Sequence, residues 1–124
     1  MYKDIVLEHF TSPRNVGVLE DADGYAHVDS SVCGDAMELY IKVQDGLIAD
    51  IKYRTFGCAA AIASSSYTTE RVRGQTLEQA ASVKEEDISH ELGLPDVKMH
   101  CSLLAVTALQ EAIADYRRKS AQQD

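Results

Sequence analysis

Two runs of strict alternation organise the middle of the chain. Met37, Leu39, Ile41 and Val43 alternate with Glu38, Tyr40 and Lys42. Leu47, Ala49, Ile51 and Tyr53 alternate with Ile48, Asp50, Lys52 and Arg54. A period of two, with one apolar face and one mostly polar face, predicts strands of a sheet that is covered on one side. Asp45-Gly46 between the runs is a strong two-residue hairpin signal. With these two as the turn, Gln44 faces Leu47, and the same pairing carried outward sets Cys33 opposite Cys58. Gly24 to Ser30 reads as an edge strand.

The remaining periodicity is helical. Tyr2, Val6 and Phe10 recur at spacing four and predict a short helix over 2–10. Pro and Gly punctuate Ser12-Pro13-Arg14-Asn15-Val16-Gly17 as a loop. Ala59 to Arg73 is rich in Ala and Ser and lacks Pro and Gly, so it reads as a helix whose small-residue face packs close to the sheet, ended by Gly74. Thr76-Leu77-Glu78-Gln79 and Ser82-Val83-Lys84-Glu85 both have the spacing of a capping box, and each predicts a short helix. Gly93-Leu94-Pro95 breaks the chain again. Leu104, Ala105, Ala108, Leu109, Ala112, Ile113 and Tyr116 then form one stripe at spacings of three and four, predicting a long core-packed helix over about 101–119.

Composition narrows the classes. At 124 residues, 45% apolar and 26% charged, the chain reads as one globular domain over 1–124, with a polar, disordered tail at 120–124. A net charge of −8 argues against a nucleic-acid partner, because phosphate backbones need clustered Lys and Arg. The dense basic run Arg117-Arg118-Lys119 is explained by the end of the predicted helix, where cations suit the dipole. No apolar stretch approaches the ~20 residues of a membrane span. With no signal peptide visible, the expected location is cytoplasmic.

Three cysteines sit in three motifs: Cys33-Gly34-Asp35, Phe56-Gly57-Cys58 and Lys98-Met99-His100-Cys101-Ser102. An odd count without Cys-x-x-Cys fits neither a disulfide framework nor a zinc ribbon nor a thioredoxin motif. Cys58 lies between a strand and a helix and Cys101 opens a helix, positions that favour the thiolate. The thiolate is both nucleophile and soft-metal ligand. Gly34 and Gly57 remove bulk where a ligand loop turns tightly. Three thiolates leave a tetrathiolate site one short, and Asp35 and His100 are the candidates to complete it. A hard carboxylate or an imidazole in that place should hold iron–sulfur chemistry loosely, which suits a protein that gives its cluster away. His9, His27 and His90 have no motif around them and read as surface or core histidines. Ser64-Ser65-Ser66 lies inside a helix with no Gly-rich loop before it and is not a phosphate site.

These motifs resemble the IscU family of iron–sulfur cluster assembly scaffolds, also found as the N-terminal domain of NifU. The resemblance runs from Ser12-Pro13-Arg14-Asn15-Val16-Gly17 through the three cysteine motifs, Ala61-Ile62-Ala63-Ser64-Ser65-Ser66 and Leu94-Pro95-Asp96-Val97-Lys98, to Ala112-Ile113-Ala114-Asp115-Tyr116. It implies an α+β fold, a three-stranded antiparallel sheet with helices packed on it. It implies that Cys33, Cys58 and Cys101 build a [2Fe–2S] cluster from iron and sulfur, with Asp35 and His100 at the site. It further implies a cysteine desulfurase as sulfur donor, Cys101 as persulfide acceptor, a ferredoxin-type electron donor and apo iron–sulfur acceptor proteins. Asp35 is implied to control cluster lability, and zinc to occupy the site when iron and sulfur are absent. Hsp70/J-type chaperones are implied at Leu94-Pro95-Asp96-Val97-Lys98, where Asp96 stands in place of the family's usual second proline. Ala59 follows Cys58 where many members have Gly.

Three functions compete. The first is a non-enzymatic scaffold that assembles and transfers the cluster. The second is a zinc-binding persulfide acceptor of the SufU type; the short separation of Cys58 and Cys101 favours the IscU branch, because SufU carries an insertion there. The third is a thiol enzyme using His100 and Cys101. Adjacent helical positions point about 100° apart, which suits a base–nucleophile pair poorly.

Overall fold

The computed structural model describes residues 3–30 and 34–123. The elements are α1 (Asp4–Thr11), β1 (Gly24–Asp29), β2 (Ala36–Gln44), β3 (Leu47–Phe56), α2 (Ala59–Val72), α3 (Leu77–Ala81), α4 (Glu85–Leu92), a 3-10 turn (Asp96–Lys98) and α5 (Met99–Gln123). The strands form one antiparallel sheet in the order β1-β2-β3. Helices α2 and α5 cover one face of it, α1 packs on α2, and α4 on α5. The core is Met37, Leu39 and Ile41 from β2, Ile51 and Tyr53 from β3, and Leu104, Ala105, Ala108, Leu109, Ala112 and Ile113 from α5. This is the α+β arrangement that the resemblance implies. Burial pushes the Tyr53 hydroxyl up to about 12.

The hairpin closes as its turn residues dictate. Asp45 (φ 55°) and Gly46 (φ 76°) are both left-handed, as a type I′ turn requires. Gln44 faces Leu47 and Val43 faces Ile48, but then the register shifts, and Lys42 faces Asp50. The expected pairing is therefore right at the turn and off by one beyond it. A bulge at Ala49 is the cause. It is steadied by the Asp50 carboxylate, which accepts the Ile51 N–H at 2.8 Å. The bulge also flips the phase of the strand. Ile48 joins Ile51 and Tyr53 in the core, while Leu47 is 40% exposed and Ala49 is solvent-facing.

Other boundaries move for local reasons. In α1 the buried positions are Val6 and His9, whereas Phe10 is exposed; Tyr2 lies outside the described residues. His9 turns inward because Ser66 on α2 meets its Nδ1 at 2.7 Å. Burial, and secondarily the Arg14 charge, hold the imidazole below the ordinary histidine pKa. The Arg14 N–H donates to the same Ser66 Oγ at 2.9 Å. Asn15 and Gly17 then exchange backbone hydrogen bonds with Tyr53, at 3.0 and 2.9 Å, so the loop lies along the outer edge of β3.

The Thr76 capping box forms with Gln79. The second expected box does not. Ser82 closes α3 by donating to Gln79 O at 2.7 Å, and α4 starts after Lys84, whose N–H donates to the Asp87 carboxylate at 3.3 Å. Helix α5 begins before Cys101 and continues to Gln123 through the polar segment expected to be disordered, which contains no Gly or Pro. The basic run therefore lies within the helix. Arg118 and Lys119 pair with Asp115 at 3.2 and 2.8 Å, and Asp115 also accepts the Tyr25 N–H at 2.9 Å, tying α5 to the edge strand.

Candidate metal centre

Three elements deliver ligand atoms to one place. Asp35 immediately precedes β2, Cys58 is the N-cap of α2, and Cys101 lies in the first turn of α5. A carboxylate oxygen of Asp35 and the sulfurs of Cys58 and Cys101 all lie within 4.8 Å of one another. The two sulfurs are 3.7 Å apart. Sulfur and oxygen donors this close, from residues so distant in sequence, form a soft–hard ligand set open to iron or zinc. Cys33 lies outside the described residues. The expected meeting of cysteines thus has a description for Cys58 and Cys101, with Asp35 beside them.

Helix starts explain the two sulfurs. Both are carried near a helix N-terminus, where the helix dipole favours negative charge. The hairpin explains the carboxylate. One step beyond the last sheet pair, Ala36 with Phe56, Asp35 falls opposite Gly57. The backbone of Asp35 is pinned, because its carbonyl accepts the Ser30 N–H at 2.7 Å while the Ser30 carbonyl accepts the Gly34 N–H at 3.1 Å. Gly34 turns at φ 73°, so here the tight-turn reading of the glycine holds. Gly57 is different. It is absent from the left-handed residues, and a Cβ built on it would overlap the Asp35 carboxylate. Its glycine is required by space, not by turning.

Two further side chains reach the sulfurs. His100 Nε2 is 3.5 Å from Cys101 Sγ, so the ring folds back across the angle that separates neighbours on a helix. The angular objection to a His100–Cys101 contact is thereby corrected. Lys98 Nζ is 3.8 Å from Cys58 Sγ. The sequence places Lys98 in the Leu94–Lys98 segment and at the start of the Cys101 motif, but does not show this contact with Cys58. Lys98 and Cys58 are 40 residues apart, and no local spacing signals the contact.

The centre is more closed than its chemistry suggests. Cys101 is 1% and Asp35 4% exposed, whereas Cys58 is half-buried and forms the open edge. Large apolar side chains stand exposed close by in sequence: Phe56 two residues before Cys58, Val97 beside Lys98, and Leu103 two residues after Cys101.

The family model described as "NifU-like N terminal domain" matches residues 1–123. The chain belongs to that family. It is 54% identical over 125 residues to iron-sulfur cluster assembly scaffold protein IscU 1 of Archaeoglobus fulgidus, covering 100% of this chain and 82% of that protein. It is 50% identical over 122 residues to iron-sulfur cluster assembly scaffold protein IscU of Haemophilus influenzae, covering 95% and 97%. Among solved structures it resembles the N-terminal part of a nitrogen-fixing NifU-like protein from Brucella abortus, with a TM-score of 0.78 and 26% identity over 94% of each chain. Among the described residues, no helix of this family member is long and apolar enough to cross a membrane.

Proposed function

We propose that this protein is a scaffold on which iron and sulfide are joined into a [2Fe–2S] cluster that is then passed to apo-proteins. The observation that carries the reading is the convergence of Asp35, Cys58 and Cys101 within 4.8 Å, together with relatives at 50–54% identity that bear the scaffold name. Cys33 completes the thiolate set in this reading, and His100 supplies a further ligand or proton acceptor beside Cys101. The names of these relatives support cluster assembly over the zinc-bound, SufU-type persulfide acceptor.

The chemistry divides among the chain's own residues. The Cys101 thiolate attacks the outer sulfur of a persulfide carried by a cysteine desulfurase. The donor's cysteine leaves as a thiolate, so sulfur moves without net oxidation. Two electrons, delivered singly by two ferredoxin-type reductant molecules, then cleave the new S–S bond, restoring the Cys101 thiolate and freeing sulfide for iron. Because Cys101 is buried and Cys58 half-buried, an incoming donor meets Cys58 first, and transfer to Cys101 needs the site to open. Lys98 offsets the accumulated negative charge from its place against Cys58. Phe56, Val97 and Leu103 offer partners exposed apolar side chains close in sequence to the ligands; Leu94-Pro95-Asp96-Val97-Lys98, which contains Val97, is the segment that would serve Hsp70/J-type chaperones.

Release depends on Asp35, the hard donor among soft ones. In Asp35→Ala protein reconstituted anaerobically, the visible absorption of the cluster should bleach more slowly under a chelator than in wild type, and transfer to an apo-ferredoxin should slow with it. Faster bleaching in the variant would remove Asp35 from this role.

A further inference from the structure

Gly57 joins the end of β3 to Cys58, and among the described residues the atoms nearest to the place of its missing Cβ belong to one side chain. The three heavy atoms nearest to a Cβ built on it are Oδ1, Cγ and Cβ of Asp35, the last two at 2.6 and 3.1 Å. All three are closer than ordinary van der Waals contact, and none belongs to the backbone. The wall cannot retreat as a whole, because the Asp35 main chain is fixed by its hydrogen bond from Ser30 and the residue is buried. The movable part is the carboxylate, which turns about its own side-chain bonds.

We infer that Gly57 is a positioning residue of the metal centre: the space left by its missing side chain seats the Asp35 carboxylate beside the Cys58 and Cys101 sulfurs. One added methyl group turns that carboxylate out of its seat while every ligand remains in the sequence. The consequence for the cargo rests on the scaffold reading; the steric claim does not. Gly57→Ala protein should therefore behave like Asp35→Ala protein, although it keeps the carboxylate.

A double-mutant cycle over wild type, G57A, D35A and G57A/D35A tests this on two readouts. The first is thermal unfolding of the metal-free protein. G57A should lower the melting temperature in the wild-type background and lower it clearly less in the D35A background, where the two closest atoms, Oδ1 and Cγ, are gone and only the Cβ at 3.1 Å remains. Additive effects would overturn the inference, since they would place the methyl group against something else. The second readout is cluster bleaching under a chelator. G57A should slow it as D35A does, and the double variant should match D35A within about twofold, as two changes acting through one group must. Wild-type bleaching in G57A beside slow bleaching in D35A would also overturn it. If G57A fails to fold, folding of the double variant supports the inference and failure of both overturns it. If wild type takes up no cluster, the scaffold reading falls, and the metal-free cycle still decides the steric claim.

Discussion

Ser66→Ala removes one hydroxyl that holds three segments together. The Ser66 Oγ lies 2.7 Å from His9 Nδ1 on α1 and accepts the Arg14 N–H at 2.9 Å from the following loop. Ser66 itself is buried in the middle of α2, the helix whose N-cap is Cys58. Truncation leaves two groups without their partner. His9 is 2% exposed, so its nitrogen cannot recover the bond from water, and an unsatisfied buried group costs about 1–3 kcal/mol. The Arg14 bond is only partly buried and recovers some of its loss, which places it near the bottom of that range, about 1 kcal/mol. The sum is about 3 kcal/mol, a drop of about 10 °C in the melting temperature of a domain this size. Thermal and urea unfolding of the metal-free variant at mildly alkaline pH, where His9 is neutral in both states, measures it directly. A loss below about 0.5 kcal/mol, the usual size for an inconsequential substitution, would refute the view that this hydroxyl docks α1 and the loop onto α2.

Two other outcomes follow from the same coordinates. The folded pKa of His9 is depressed below 6.5, chiefly by burial and then by Arg14, so the unfolded chain binds the extra proton first. Stability from this group is full above pH 6.5 and is lost as pH falls through the depressed folded value. Denaturant titrations across that window should show the decline, and His9→Gln should flatten it; an unchanged slope in the variant would assign the pH dependence elsewhere. In the metal-free protein, Cys58 should react with an alkylating reagent well before Cys101, because it alone of the two is half-open. Peptide mapping after a short pulse reads the order, and earlier labelling of Cys101 would contradict the closed description of the centre.

Much of the fold was legible because its signals are local. The Asp45-Gly46 turn, the Thr76 box and the α5 stripe each depend on neighbours in sequence. The bulge at Ala49 was not legible, because Leu47, Ile48 and Ala49 are all apolar and either phase puts one of them inward. The choice of His9 over Phe10 as the inward residue of α1 was not legible either; it is made by Ser66, remote in the chain. At the site, the sequence pointed to Asp35, Cys58 and Cys101 by residue type and by helix and hairpin position. The contact of Lys98 with Cys58 depends on how α5 docks beside α2. The fit of Gly57 to Asp35 depends on a register that the bulge shifts by one. Sequence periodicity carries neither.

The central claim is that Cys58 and Cys101 serve one centre. Anaerobic reconstitution with iron, sulfide and a desulfurase, followed by iron and acid-labile sulfide analysis, tests it on wild type, Cys58→Ser and Cys101→Ser. Wild type should hold iron and sulfide in equal amounts, and either variant should lose both. Wild-type loading in either serine variant, or a wild type that binds metal without sulfide, would contradict it.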